Sequence, residues 1–91
     1  MPVVRVPTVL RKFTDGAAKV DQGGATVGEV LRGLTTAFPG LDDQLFDGEA
    51  VRGFINVYVD DEDIRYLDGL ATPVDPDAQI ALMPAVAEGA R

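Results

Sequence analysis

The 91-residue chain carries a net charge of −7, which argues against nucleic acid or an anionic membrane as a partner because both favour clustered Lys and Arg. Cys and His are absent, and so is Ser, which excludes disulfides, cysteine-ligated zinc and Ser–His–Asp catalysis. The start "MPVVRVPTVL" lacks signal-peptide features, and no run approaches the ~20 apolar residues of a membrane span. We therefore expect one cytoplasmic domain without a membrane partner.

The first third of the chain predicts a β-hairpin. "VVRVPTVL" (Val3 to Leu10) is rich in β-branched residues and roughly alternating, which is typical of a strand with an irregular point at Pro7. Asp15-Gly16 is a turn signal. The segment Ala17 to Gln22 can then return as the second strand.

A helix follows, with a clear start and stop. Thr26 and Glu29 have the spacing of a capping box, in which each side chain reaches a free backbone N–H of the other's segment. Pro39-Gly40 ends the helix. Its apolar residues recur at helical spacing on one stripe: Val27, Val30, Leu31, Leu34 and Phe38.

The second half predicts further strands. The segment after the helix predicts a helical turn with three inward residues, Leu41, Leu45 and Phe46. A loop follows at Asp47-Gly48. "FINVYVD" is the clearest strand, with Ile55, Val57 and Val59 on one face. "DDED" (Asp60 to Asp63) indicates a turn, "IRYL" a short returning strand, and Gln79 to Pro84 the last strand with Ile80 and Leu82 facing the core.

One helix among these strands must cover one face of a single mixed sheet of four to five strands. The crossover through the helix can place a later strand parallel to the first. This α+β arrangement is a β-grasp. It predicts a domain over residues 1–84 and a flexible tail over residues 85–91.

The residue clusters within the domain favour structural explanations. The acids of "DDED" are consecutive and lack the spacing of a calcium loop, and "DQGGATVGE" lacks the pattern of a phosphate or dinucleotide loop. We therefore predict no metal site and no catalytic residue, so the protein is not expected to be an enzyme. The tail, residues 85–91, consists mainly of small residues and has two interpretations. It is either a frayed terminus or a segment that enters a narrow tunnel of another protein.

Three segments of the chain resemble the MoaD/ThiS family of small sulfur carriers: "VPTVL", "FINVYVDDEDIRYLDGLAT" and "LMPAVAEG". Within that family the resemblance is strongest to the CysO-type carrier of cysteine biosynthesis. It covers nearly the whole chain and implies a ubiquitin-like β-grasp fold, which agrees with the order of elements predicted above.

The resemblance also implies a mechanism that needs no Cys or His. In this family an ATP-dependent enzyme adenylates the carboxyl group of a C-terminal Gly-Gly, and sulfur then replaces the adenylate to give a thiocarboxylate. The carrier itself binds no cofactor. A PLP-dependent or other synthase accepts the sulfur, and in the CysO-type branch a zinc metalloprotease releases the cysteine formed.

The chain departs from the family pattern at its end, where "PAVAGG" is replaced by "PAVAEG" followed by Ala90 and Arg91. Gly89 matches the terminal glycine, but its carboxyl group is in a peptide bond, and Glu88 replaces the first glycine. We therefore expect a protease to remove Ala90 and Arg91. Gly89 would then carry the thiocarboxylate.

The same register identifies the parts of the chain that would meet a partner. We expect Ala85, Val86, Ala87 and Glu88 to enter the partner's active site. Met83, Pro84 and Val86 are the candidates for an apolar docking surface, with Met83 exposed because Ile80 and Leu82 face inward.

Two alternatives stay open beside the carrier. One is a non-catalytic β-grasp interaction module that does not use the carrier chemistry. The other is a ubiquitin-like modifier joined to lysines through Gly89. The modifier needs the same trimming as the carrier, and the module does not.

Overall fold

The computed structural model of the chain describes residues 1–48, 50–51 and 55–84. Within them lie seven strands: β1 Val3–Arg5, β2 Lys19–Asp21, β3 Phe46–Asp47, β4 Ala50–Val51, β5 Ile55–Val59, β6 Glu62–Asp63 and β7 Gln79–Pro84. Five of the strands form one sheet in the order β2-β1-β7-β5-β6, and β3 pairs with β4 in a separate small hairpin. The predicted mixed sheet of four to five strands is therefore confirmed.

The first and last strands lie side by side at the centre of the sheet. β1 and β7 are parallel, with Val4 opposite Ile80 and Arg5 opposite Ala81. The other pairings in this sheet are antiparallel. A parallel pair needs a crossover connection, and here the chain between β2 and β7 provides it. The predicted crossover through the helix is confirmed.

Helix α1 (Val27–Ala37) begins at the predicted capping box. The Glu29 backbone N–H donates to Thr26 Oγ1 at 3.2 Å, and Glu29 Oε1 accepts from the Ala25 backbone N–H at 2.9 Å. The return bond thus goes to the residue before the N-cap Thr26. The helix ends before Pro39, where a 3₁₀ turn (Pro39–Leu41) leads into the four-residue helix α2 (Asp42–Leu45).

The core lies between α1 and the inner face of the five-stranded sheet. The α1 stripe is fully buried at Val27, Val30, Leu31 and Leu34, and Phe38 packs against the core while partly exposed. The inward residues of the strands and of the turn after α1 are also buried: Val4, Leu41, Leu45, Phe46, Ile55, Val57, Val59, Ile80 and Leu82. The predicted core faces are therefore correct.

The predicted strand from Val3 to Leu10 is wrong beyond its first residues. β1 ends at Arg5, and after Pro7 the chain enters a 3₁₀ helix over Thr8–Thr14. Pro7 cannot donate to a ladder, and it is the N-cap of the 3₁₀ helix with an extended backbone (φ −68°, ψ 157°). The hairpin between β1 and β2 is confirmed, but a helical excursion joins its strands instead of a two-residue turn.

The predicted strand "IRYL" is also wrong. Residues Ile64–Tyr66 form a 3₁₀ turn, and the short strand β6 lies immediately before it. The Asp63 carboxylate accepts from the Arg65 backbone N–H at 2.8 Å, so a side chain competes with a strand ladder for this donor.

In the part of the chain that the structure describes, no helix is long and apolar enough to cross a membrane. The predicted tail, residues 85–91, lies outside the described residues. Both the boundary of the domain at residue 84 and the flexibility of the tail stay predictions.

Candidate functional site

The strand that leads to the carboxyl terminus presents two unlike faces. Leu82 is 1% exposed on the helix side, whereas its neighbour Met83 is 50% exposed on the opposite face. The exposure predicted for Met83 is therefore what the structure has, and Pro84 ends the strand in register with Ile55. The docking role of Met83 and Pro84 stays a prediction.

Residues from four strands form a row across this outer face. The register places Lys19 beside Arg5, Arg5 beside Ala81, and Ala81 beside Tyr58. Side chains opposite each other in a sheet lie on the same face. Lys19 and Arg5 are exposed, while Ala81 and Tyr58 are half-buried. The row is cationic at the β2 end and aromatic at the β5 end.

A groove of about 400 Å³ lies beside this row at the end of β1, and its lining includes Arg5, Arg11, Lys19 and Met83. Arg11 is held there because its Nε donates to the Val6 carbonyl at 3.1 Å. None of the three cations forms an ion pair with a described carboxylate. An apolar side chain and three cationic side chains are thus accessible together beside the strand that leads to the tail.

The rim of the groove is formed by an unusual turn between β5 and β6. Asp60 and Asp61 adopt positive φ values of 50° and 74°, the geometry of a two-residue hairpin turn that favours Asn-Gly. Asp60 is fixed because its Oδ1 accepts from the Gln79 backbone N–H at 3.1 Å and its own N–H donates to the Gln79 carbonyl at 2.9 Å. Asp61 is exposed and lines the groove.

One ion pair closes the β6 edge of the same face. Arg65 Nη2 donates to Asp63 Oδ2 at 2.8 Å, and Arg65 Nε contacts the same carboxylate. Hydrogen bonds from the Arg65 side chain and backbone lower the pKa of Asp63, and the carboxylate in turn raises the pKa of Arg65. This pair orders the turn after β6.

The residues predicted to carry the chemistry are not in the described part. Ala85, Val86, Ala87, Glu88, Gly89, Ala90 and Arg91 all lie outside it, so their roles stay predictions. Across residues 1–48, 50–51 and 55–84, no three Asp, Glu, His or Cys side chains are grouped so that they could hold a metal ion.

The cationic lining was missed at the sequence level. The lining residues Arg5, Arg11 and Lys19 are brought together by the hairpin between β1 and β2. The sequence predicted that hairpin only in outline. A partial signal exists, because Val4 is an inward residue of β1 and the alternation of a strand then puts Arg5 outward. The position of Arg11 could not be predicted from alternation, because Arg11 lies in the 3₁₀ helix Thr8–Thr14 that the sequence did not predict.

Comparison with known proteins decides the family. The model of the ThiS family matches residues 4–89. The chain belongs to the ThiS family. It is 37% identical to the sulfur carrier protein CysO of Mycobacterium tuberculosis over 89 residues, which cover 94% of this chain and 96% of that protein. The relatives are small non-catalytic proteins named as sulfur carriers or protein modifiers, and the chain is accordingly of this ubiquitin-like carrier kind and not an enzyme.

Solved structures agree with this assignment. The matched chain in the crystal structure of the Amycolatopsis orientalis BexX/CysO complex is 38% identical, with a TM-score of 0.92 over 98% of this chain and 100% of that one. The solution structure of small archaeal modifier protein 1 from Methanosarcina acetivorans is 28% identical, with a TM-score of 0.85 over 97% and 95% of the two chains. The predicted ubiquitin-like β-grasp is therefore confirmed.

Proposed function

We propose that the protein is a sulfur carrier made in a pro-form, in which removal of Ala90 and Arg91 exposes the carboxyl group of Gly89. The observation that carries the proposal is the match to the ThiS family, which extends to residue 89. It supports a register in which Gly89 occupies the position of the family's terminal glycine. The exposed Met83, on the strand that leads to this glycine, supports a partner that receives the tail.

The proposed chemistry resides in the backbone carboxyl group. An oxygen of the Gly89 carboxylate attacks the α-phosphorus of ATP and displaces pyrophosphate. A hydrosulfide-equivalent nucleophile then attacks the acyl carbon and AMP leaves, which gives a thiocarboxylate. The peptide carbonyl present before trimming cannot react in this way, because it lacks an ionised oxygen. Side chains of the carrier take no part in either step.

The negative charge of Glu88 restricts which activating enzyme can accept this chain. Its carboxylate lies one residue from the reacting carboxylate, and two like charges ~4 Å apart raise the energy by about 1 kcal/mol in water and about 4 kcal/mol near a protein surface. We propose that the partner places a cationic side chain opposite Glu88. A partner adapted to a Gly-Gly end would then activate this chain poorly.

Several partners follow from this proposal. An ATP-dependent adenylating sulfurtransferase would form the thiocarboxylate, and a PLP-dependent or other synthase would accept the sulfur, with cysteine as the favoured product. A metalloprotease is the candidate for trimming. The similarity to a CysO chain that was crystallised in a complex with BexX supports an enzyme partner of a similar kind.

The proposal is tested by intact-mass analysis. The full-length protein is incubated with an extract of its source cells, ATP and sulfide. We expect loss of the alanine and arginine residues, followed by the exchange of one oxygen for sulfur that requires ATP. Persistence of the full-length mass in every condition would contradict the proposal.

Two neighbouring substitutions provide a matched control. Gly89→Val puts a β-branched side chain next to the reacting carbon and should block conversion in a narrow active site. Ala90→Val adds a side chain of the same kind to a residue that is removed, so the sulfur-bearing product should still form. Sulfur located by tandem mass spectrometry on a residue other than 89 would exclude Gly89 as the sulfur-bearing residue.

A ubiquitin-like modifier is the second candidate. It is favoured by 37% identity to small archaeal modifier protein 3 of Haloferax volcanii over 65 residues, which cover 71% of each chain. This function predicts isopeptide adducts between Gly89 and lysines of other proteins, detectable by tandem mass spectrometry. The third candidate, a non-catalytic interaction module, predicts neither trimming nor adducts.

A further inference from the structure

Strand β2 lies at one end of the five-stranded sheet, so one side of its backbone has no strand neighbour. On its other side, the Ala18 carbonyl and the Gln22 N–H form hydrogen bonds of 2.8 and 2.9 Å to the β1 segment. The direction of the backbone groups alternates along a strand, so the N–H and C=O of Val20 also face β1. Those of Lys19 and Asp21 therefore point away from the sheet.

These outward groups are free in the single chain. In the described part of the chain, the backbone groups of Lys19 and Asp21 form no hydrogen bond, and their side chains form no ion pair. Both residues are exposed. The free edge stops at Ala17, because its N–H donates to the Thr14 carbonyl at 3.0 Å and its carbonyl accepts from Thr14 Oγ1 at 2.9 Å.

Two copies of this edge complement each other in one antiparallel register. With a two-fold axis at Val20, Lys19 lies opposite Asp21 of the second copy, and Asp21 lies opposite Lys19 of that copy. Residues with outward groups then face each other, so each pair exchanges both N–H···O bonds. Each pair also joins opposite charges, which stabilises cross-strand neighbours.

The other registers are unfavourable. An axis at Lys19 or at Asp21 sets like charges directly opposite each other, which destabilises a strand pair. A shift by one residue sets outward groups against inward ones, so the hydrogen bonds are lost. The order of charges around Val20 therefore selects a single pairing.

The apolar residue at the centre of the edge fits the same pairing. Val20 is half-buried and packs against the core of its own chain. On the two-fold axis it meets Val20 of the second copy at a non-hydrogen-bonded position, where opposite side chains approach most closely. Charges on an edge strand often prevent pairing, but here their signs attract a second copy of the same edge.

We propose that the protein forms a symmetric dimer through β2, in which the sheets of two copies join into one continuous sheet. The contact uses the same residues on both copies, so it closes at two chains and does not form a filament. One short strand pair buries little area, so the dimer is weak and forms at high protein concentration. This proposal does not depend on the carrier function.

Sedimentation equilibrium of the full-length protein tests the self-association. The concentration is raised from about 10 µM to about 1 mM, the range in which a weak interface is populated. We expect the average mass to rise toward that of two chains, and to rise less at high ionic strength because exposed charge pairs are screened. A single-chain mass at all concentrations would overturn the proposal, and so would growth beyond two chains.

Two charge reversals test the register. Lys19→Glu and Asp21→Lys each set like charges opposite each other in both pairs of the dimer, and each should weaken it about tenfold or more. An equimolar mixture of the two variants restores opposite charges at both pairs and should dimerise as the parent protein does. Failure of the mixture to associate would overturn the proposal.

The overall charge of the chain provides a second discrimination. Because the net charge is −7, Asp21→Lys lowers the general repulsion between copies and would strengthen a non-specific association. Lys12→Glu is the control for Lys19→Glu, since it changes the net charge equally at a residue that stacks over Phe13 and lies outside β2. Stronger association of Asp21→Lys, or equal weakening by Lys12→Glu and Lys19→Glu, would overturn the proposal.

Nuclear magnetic resonance locates the contact. The outward amides of Lys19 and Asp21 should exchange with solvent more slowly as the dimer fraction rises, whereas the Val20 amide, already bonded to β1, should change little. A mixture of labelled and unlabelled protein should give an isotope-filtered NOE between the Val20 Hα atoms of the two copies. Concentration-dependent protection confined to another segment would overturn the proposal.

Discussion

Substitutions at the neighbouring residues Leu82 and Met83 test whether one face of the last strand stabilises the fold while the other binds a partner. Leu82 is 1% exposed, and Leu82→Ala removes its buried side chain and leaves a cavity, which costs about 2–5 kcal/mol. In a domain of this size each 1 kcal/mol lowers Tm by roughly 4–8 °C. Leu82→Ala should therefore lower Tm by at least about 8 °C.

Met83→Asp should have a much smaller effect on folding. Full burial of such a side chain stabilises by about 1.5–3 kcal/mol, and Met83 is 50% exposed, so about 1 kcal/mol is lost at this contact. The low strand propensity of Asp adds up to ~1 kcal/mol. Met83→Thr keeps a residue of high strand propensity at the same position. It is therefore the control for the stability that Asp loses through its low strand propensity.

Thermal unfolding and thiocarboxylate formation are then measured on the same variants below their Tm. We expect Met83→Asp to fold and to be converted slowly, and Leu82→Ala to be less stable while its folded fraction is converted normally. A Tm drop for Met83→Asp as large as that for Leu82→Ala would show that Met83 belongs to the core. Normal conversion of Met83→Asp would refute its docking role.

Three further predictions concern the scaffold. Thr26→Ala removes the acceptor for the Glu29 N–H and should lower the free energy of unfolding by about 0.5–2 kcal/mol in urea titrations, whereas Thr36→Ala, at an exposed residue of the same helix, should change it little. Asp61→Gly should raise Tm because it relieves a positive φ worth about 1 kcal/mol; an unchanged or lower Tm would contradict the strain. Arg65 lowers the pKa of Asp63 from 3.8 in the folded protein. The ion pair between them therefore stabilises the fold above pH 3.8, and this stabilisation is lost as the pH falls through the lowered pKa of Asp63. Asp63→Asn should flatten this acid limb in Tm measured against pH, and an unchanged limb would contradict the assignment.

The sequence predicted the fold where local pattern and tertiary packing agree. The capping box at Thr26 and the alternation around Val57 each report both a local preference and a buried face, so α1 and β5 were located correctly. The errors occur where side chains compete with the backbone ladder. Pro7 ends β1 early, and the Asp63 carboxylate takes the Arg65 N–H that a strand would have needed.

The candidate site was predictable only in part, for a physical reason. The exposure of Met83 follows from strand alternation within one segment. The cationic groove requires Arg5, Arg11 and Lys19 to meet across a hairpin whose connection is helical, and one-dimensional periodicity does not contain that geometry. The tail could be assigned only through a resemblance, since small residues carry little pattern of their own.

The central claim is that the backbone carboxyl group of Gly89 carries the sulfur. It is tested most directly by isolating the protein from its source cells under non-reducing conditions and mapping its carboxyl-terminal peptide by tandem mass spectrometry. We predict a peptide that ends at Gly89 with sulfur in place of one terminal carboxyl oxygen. A population that retains Ala90 and Arg91, with no carboxyl oxygen replaced by sulfur, would contradict the claim.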